Sequence, residues 1–366
     1  MPNGKPRFNP RFIEHLSPLD HILLTGRAAT GLTALLEIQF RQQVILIPAN
    51  ACYIVAWAVL QSGNYPLLVD VDPKTLCIHT ETIELTSQHC KDAQLPSPVA
   101  VIPIHMMGIP APMGEISAWA RQNYIHIIED CALQPFQNQP FLPQVQAQIF
   151  SFGAGKPLDL NGGGLLRLQG GSFAQAVQNQ LDTYPIATHE TFQALQQWND
   201  IYWGIHQHEA DRPALANLYP LLWEQYRTLT QFQLSAQHWQ QAERKLYPSQ
   251  PQIDHRRRLG EVYANAFKNR VDFPQDDIAW WKFPIFPPAH QRRGILETLW
   301  AEGENNITLW YPSLQPMMQA LLPAVKQPST PIADDLCRRV ISLPVDLAMD
   351  TTDAGRIAER VIHALH

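Results

Sequence analysis

Between positions 44 and 152 the chain repeats one pattern. Short apolar runs, each closed by a polar side chain, alternate with amphipathic segments. The runs are "VILIPAN" (44–50), "PLLVDV" (66–71), "PVAVIPIH" (98–105), "YIHIIED" (124–130) and "AQIFSF" (147–152). They are too short for buried helices and too uniformly apolar for strands with one wet face. They predict strands covered on both sides, as in parallel sheets. The spacers carry apolar residues at helical intervals: "TGLTALLEIQF" (30–40), "AWAVLQSG" (56–63) and "MGEISAWARQNY" (113–124). Thr30 and Gly31 are expected to open the first of these helices. The alternation predicts an α/β fold with a mainly parallel central sheet. Such sheets hold ligands at the carboxyl ends of their strands. That rule singles out Asn50, His105, Asp130 and Ser151. Asp130 should end a central strand, with Glu129 on the opposite face, because strand side chains alternate.

From Gly170 the pattern changes. To about position 246 the chain is rich in Gln, Trp and Tyr and reads as helices, most clearly over "QFQLSAQHWQQAERKL" (231–246). "YPSQPQ" (247–252) breaks the periodicity and reads as a linker. Then follow a helix at "DHRRRLGEVYANAF" (254–267), strands at "WWKFPIF" (280–286) and "ITLWYP" (307–312), and a terminal helix at "TTDAGRIAERVIHAL" (351–365). Thr352 or Asp353 is the expected cap of the last helix. The division expected is a large domain over residues 1–246 and a smaller α+β domain over 247–366, in keeping with a length of 366 residues.

The formal net charge of −6 gives no footprint for nucleic acid or an anionic membrane surface. No apolar run is long enough to span a bilayer, and "MPNGKPRFNPRF" lacks the core of a signal peptide. The five cysteines, an odd number without a C-x-x-C pair, argue against a disulfide framework or a metal site and fit a reducing cytoplasm.

The chemistry concentrates in "SFGAGKPLDLNGGG" (151–164). A nucleotide-hydrolase phosphate loop needs Ser or Thr after the lysine, and Lys156 is followed by Pro157. Two readings remain from the stretch itself: a solvated loop lysine, or a desolvated amine that forms a Schiff base with a carbonyl such as pyridoxal phosphate. The second requires a carboxylate for the cofactor's ring nitrogen, for which Asp130 is the candidate. It also requires a helix N-terminus with hydroxyls for the phosphate, for which Thr30, Gly31 and Ser151 are the candidates.

These motifs together resemble the DegT/DnrJ/EryC1/StrS family of pyridoxal-phosphate enzymes, known mostly as sugar-nucleotide aminotransferases. "FSFGAGKPLDLNGGG", "IIEDCA", "ATGLTAL", "IPIHMMGIPAPMGEI" and "PLLVDVDPKTLCI" carry the resemblance, which runs from about position 26 to 168 and more thinly onward through "WKFPIF" and "ISLPVD". It implies a fold-type-I, aspartate-aminotransferase-like enzyme. Lys156 would be the Schiff-base lysine, Asp130 the ring-nitrogen partner, and Thr30, Gly31 and Ser151 the phosphate ligands. The family's Gln or His at the cofactor's phenolic oxygen falls on Leu133 here, with Gln134 one position late. Its stacking aromatic falls on Cys52, with Tyr53 next. Arg227 is the candidate for a phosphate ligand given by a partner subunit, the alternative being a surface arginine. His105, Tyr311 and the arginines of "DHRRRLG" are further candidates near the site, each with a structural or solvated alternative.

The resemblance implies a homodimer with shared sites, pyridoxal 5'-phosphate as cofactor, and transfer of an amino group from a donor such as glutamate to a nucleotide-linked keto sugar. Three alternatives stay open: another substrate such as a small amino acid, another reaction on the same scaffold, and a cofactor-free binding or regulatory relative. The intact lysine disfavours sugar dehydration, because the family's dehydratases usually carry histidine there.

Overall fold

The computed structural model describes residues 20–135, 141–209, 217–226, 228–242 and 250–365. Seven strands form the main sheet: β1 (Asp20–Thr25), β2 (Val44–Pro48), β3 (Tyr65–Val69), β4 (Pro98–Val101), β5 (His126–Asp130), β6 (Val145–Ser151) and β7 (Gly164–Gln169). Their spatial order is β1-β7-β6-β5-β4-β2-β3. β7 is antiparallel to both of its neighbours, and the pairs from β6 across to β3 are parallel. The five apolar runs are therefore strands, buried as their composition requires. β5, which carries Asp130, is the fourth of seven and sits at the centre.

The helices in order are α1 (Ala28–Gln39), α2 (Tyr53–Gln61), α3 (Thr80–Asp92), α4 (Met113–Asn123), α5 (Gly171–Leu181), α6 (His189–Glu209), α7 (Tyr219–Tyr226), α8 (Ala236–Ala242) and α9 (Gln250–Phe267). The Trp- and Gln-rich α6 lays its aromatics on α2. Trp57 and Trp198 lie 4.5 Å apart between ring centres, Tyr53 and Tyr202 4.2 Å apart, and the Trp57 indole donates to the Tyr226 carbonyl. Truncating one such fully buried indole typically costs about 3–5 kcal/mol.

After α9 come β8 (Lys282–Ile285) and β9 (Ile341–Pro344), an antiparallel pair separate from the main sheet. α10 (Ala289–Ala301), α11 (Gln315–Leu321), α12 (Pro331–Arg339) and α13 (Thr351–Ala364) complete the chain. The pair is braced by Arg256 of α9, a buried guanidinium that donates to the carbonyls of Trp280, Trp281 and Val345. Among the described residues no helix is long and apolar enough to cross a membrane.

Several sequence expectations need correction. α1 begins at Ala28 with Arg27 as N-cap, so Thr30 sits one turn inside the helix. "ITLWYP" forms no strand, only a single antiparallel bridge from Thr308 to Ser342 on the edge of β9 that β8 does not occupy. The last helix is capped by Asp350, whose carboxylate accepts from the Asp353 amide, not by Thr352 or Asp353. The expected boundary at 246/247 lies outside the described residues.

Candidate active site

The carboxyl ends of β5 and β6 and the start of α1 line a cavity whose empty space, counted with the solvent at its mouth, is about 680 Å³. Lys156, Asp130, Ser151, Cys52, Arg27 and Tyr311 all reach its wall. Sequence reasoning predicted the first four. Tyr311, weighed as a substrate contact, closes the cavity from the C-terminal part of the chain.

Lys156 sits in a turn made by small residues. Its amide donates to the Gly153 carbonyl, and the Asp159 carboxylate accepts from the amides of Gly155 and Asn161. Gly163 ends this loop at φ +94°, and a Cβ there would lie 2.5 Å from the Trp239 ring. At Gly164 a Cβ would collide with the Ala28 amide. The glycines thus let the lysine loop press against the start of α1, where Gly163 donates to the Gly26 carbonyl. From the other side Trp281 donates its indole N–H to the Gly155 carbonyl at 2.7 Å. The Lys156 amine lies 4.9 Å from the centre of that same ring. Trp281 continues into a stack with Trp310 and Tyr311 that forms an aromatic wall.

Burial pulls the Lys156 amine below the ordinary lysine range, and the charge of Arg27 adds to this; Cys52 and Asp130 oppose it without cancelling it. Burial raises Asp130, although its Oδ1 accepts from the Ala132 amide at 2.8 Å and Lys156 lies nearby. Burial also raises the Cys52 thiol, against the pull of Lys156. The result is an amine biased toward its neutral form facing a buried carboxylate that would gain from a hydrogen-bond donor.

Behind Asp130, on the other face of β5, lies a polar brace. Glu129 faces away from the cavity, as alternation predicted. Its carboxylate accepts from His105 Nε2 at 2.9 Å and from Gln148 Nε2 at 2.7 Å. His105 Nδ1 accepts from the Ala111 amide at 3.0 Å, so Nε2 is the ring nitrogen that donates to Glu129. Arg167 Nη1 donates to Gln148 Oε1 at 2.8 Å, which fixes the orientation of that amide. Burial opposes the Glu129 charge. The bonds from His105 and Gln148 and the charge of Arg167 prevail and hold it below the usual carboxylate range. His105, Glu129 and Cys131 bring possible ligand atoms within 4.8 Å of one another. Hydrogen bonds already engage the imidazole and carboxylate, and burial beside Glu129 and Asp130 keeps the Cys131 thiol protonated.

Other expected site residues lie elsewhere. Thr30 is fully buried, and its hydroxyl accepts from the Arg27 amide at 3.1 Å. Gly31 packs against Thr25 and Leu166. The cavity is lined at this end by Arg27, Ala28 and Ala29 instead. Tyr53 turns into the aromatic core and donates to Asn199 Oδ1. Gln134 reaches back to the Gly108 carbonyl, leaving Ala132 and Leu133 on the wall. Arg227 lies outside the described residues. Of the "DHRRRLG" arginines, Arg256 is the brace described above, and Arg257 pairs with Asp277 at 3.1 Å. Sequence reasoning missed Arg27 and Trp281. Arg27 left one signal, a lone cation directly before the small residues that open α1.

The model of the DegT/DnrJ/EryC1/StrS aminotransferase family matches residues 5–202 and 232–362. Among curated proteins, the chain is 35% identical over 88 residues to a UDP-N-acetyl-3-dehydro-alpha-D-glucosamine 3-aminotransferase of Acidithiobacillus ferrooxidans, covering 24% of this chain and 22% of that one. It is 33% identical over 86 residues to a 3-oxo-glucose-6-phosphate:glutamate aminotransferase of Bacillus subtilis, covering 24% and 18%. The chain thus spans less than a quarter of the length of these relatives. Among solved structures, Helicobacter pylori PseC, an aminotransferase involved in the biosynthesis of pseudoaminic acid, superposes with a TM-score of 0.71 at 16% identity over 97% of this chain and 89% of that one. A Bacillus subtilis protein with bound cofactor PMP gives 0.66 at 17% identity over 94% and 73%.

Proposed function

Because the chain belongs to the DegT/DnrJ/EryC1/StrS aminotransferase family, we propose that it is a pyridoxal-phosphate-dependent aminotransferase acting on a keto sugar. The observation that carries this reading is the meeting of Lys156, Asp130 and the start of α1 in one cavity. These groups suit the cofactor's three polar ends: an amine of lowered pKa for its aldehyde, a buried carboxylate for its ring nitrogen, and helix amides for its phosphate. When bound, pyridoxal phosphate supplies an exchangeable carbonyl and a ring that takes up electrons.

The residues divide the remaining work. Lys156, its amine held below the ordinary lysine range by burial, would hold the cofactor covalently. As a free amine it would serve as the base for the proton on the donor's Cα. Asp130 keeps the ring nitrogen protonated. Ser151 and the amides of Ala28 and Ala29 bind phosphate oxygens. Cys52 and Tyr311 flank the space, and Trp281 and Trp310 stack with Tyr311.

Glutamate as donor and a nucleotide-linked keto sugar as acceptor are the proposed substrates, supported by the activities for which the curated relatives are named. A homodimer, a cytoplasmic setting in keeping with the cysteine pattern, and a division into domains 1–246 and 247–366 belong to the same proposal; the separate β8–β9 sheet supports the division.

The test is a visible absorbance spectrum of purified protein with pyridoxal phosphate, then borohydride reduction and peptide mapping. A yellow band and an adduct on Lys156 are expected, both absent in Lys156→Ala, which should also lose all nitrogen transfer from glutamate. Full turnover by Lys156→Ala, or an adduct on another lysine, refutes the assignment.

A further inference from the structure

We propose that Arg27 binds the cofactor's phosphate from within its own chain, so that the phosphate's countercharge comes from the subunit that also carries Lys156. The inference rests on the cofactor reading above. It starts from a half-buried guanidinium that is only partly engaged: its side chain lies close enough to the Tyr53 hydroxyl to hydrogen-bond it, while its Nη1 is shielded from solvent and has no hydrogen-bond partner among the described residues. A guanidinium nitrogen left so is costly, and an anion arriving at the site removes the cost.

The surroundings select an anion and its position. Arg27 is the N-cap of α1 and lines the cavity beside Ala28 and Ala29. The amides of Thr30 and Gly31 donate to the Arg27 carbonyl, which leaves those of Ala28 and Ala29 without an acceptor inside the helix. A guanidinium and two helix-end amides together suit a phosphate dianion. The backbone of Arg27 is pinned on both sides. Its amide donates to the Thr30 hydroxyl, and its carbonyl accepts from the Thr25 hydroxyl at 2.6 Å. The hydroxyl expected to bind phosphate is thus spent on holding the arginine that does so.

A charge count points the same way. Among the described residues on the cavity wall, Arg27 and Lys156 are the cations. Lys156 is committed to the cofactor's aldehyde, at a different end of the ring from the phosphate. Arg27 then remains as the fixed positive charge within this wall. Its influence already extends to Cys52, Tyr53 and Lys156, whose titration it shifts.

The experiment titrates the apoprotein with pyridoxal phosphate and, separately, with pyridoxal, following absorbance and tryptophan fluorescence. Arg27→Ala is expected to weaken pyridoxal phosphate about thirtyfold, the scale of a lost charge-assisted contact. Pyridoxal should still bind within about twofold, since the aldehyde and ring contacts remain. Arg27→Lys, which keeps the charge, should recover part of the loss, and inorganic phosphate should compete in wild type but not in Arg27→Ala. Equal weakening of both ligands would mean that Arg27 merely caps the helix, and overturns the proposal. So does selective loss in Arg227→Ala with none in Arg27→Ala, which would return the countercharge to the other candidate. A raised KM for glutamate with unchanged cofactor affinity in Arg27→Ala would assign the arginine to a substrate carboxylate and likewise overturn it. Failure of wild type to bind either ligand, with no adduct on Lys156, refutes the cofactor reading itself.

Discussion

Replacing Glu129 by Gln changes one atom and should break the brace behind Asp130. The carboxylate accepts two hydrogen bonds, from His105 Nε2 at 2.9 Å and Gln148 Nε2 at 2.7 Å. Neither donor can turn round without loss. His105 needs its unprotonated Nδ1 for the Ala111 amide, and Gln148 needs its Oε1 for Arg167. An amide at position 129 offers one acceptor and presents N–H to the second donor. One charge-assisted bond is lost, worth about 1.5–3 kcal/mol, and the other falls to a neutral bond, worth about 1 kcal/mol less. The expected loss is about 3 kcal/mol, near a hundredfold in the folded-to-unfolded ratio.

Urea unfolding of the apoprotein, followed by tryptophan fluorescence, reads this as a lower midpoint at unchanged slope. The exchange Glu129→Gln with Gln148→Glu supplies a control. The new amide accepts from His105 and donates to a carboxylate at position 148, which meets Arg167 directly, so every group is satisfied again. Stability of the single variant within about 0.5 kcal/mol of wild type, or a double variant no more stable than the single, would refute the reasoning. Because Glu129 is held below the ordinary carboxylate range, its contribution is present above that range and is lost as pH falls through the depressed value.

Two further outcomes follow from particular positions. Gly163→Ala combines a left-handed backbone at φ +94° with a Cβ 2.5 Å from Trp239, so thermal unfolding should show a loss of about 3 kcal/mol. Adding Trp239→Leu should restore only the packing share, and full recovery would remove the backbone argument. His206, buried and near Arg292, is pushed down to about 4 from an ordinary 6.5. The unfolded chain therefore takes up a proton first, and stability should fall by up to about 3 kcal/mol as pH drops from about 6.5 to 4. His206→Phe should flatten the urea midpoint over that window, and an unchanged slope would contradict it.

The buried parallel strands were legible because two covered faces demand an unbroken apolar run, and Asp130 was legible because a carboxylate ending such a run needs a reason. Lys156 was legible from the glycines that give it room. Arg27 was not, because arginine is a poor helix cap by propensity and Thr30, three residues on, has a stronger claim. The claim is chemically sound, since the Thr30 hydroxyl does accept from an amide at the helix start. It supports the cap from inside the helix instead of being the cap. "ITLWYP" has the composition of a strand, yet its Trp310 and the site-lining Tyr311 are used to stack on Trp281. A strand's alternation cannot anticipate that use. Gln134 and Tyr53 were misplaced for a similar reason, since the direction of a side chain just past a strand end depends on neighbours distant in sequence.

The cavity draws its walls from Arg27 near the start of the chain and Tyr311 near its end. During synthesis the pocket lacks one wall until the segment bearing Tyr311 has left the ribosome and docked, since the other described lining residues fall between positions 27 and 156. Most of the large sheet can assemble long before that moment, with Lys156 open to water and to any passing aldehyde. Cofactor capture is then a closing event of biogenesis, not a seed for it.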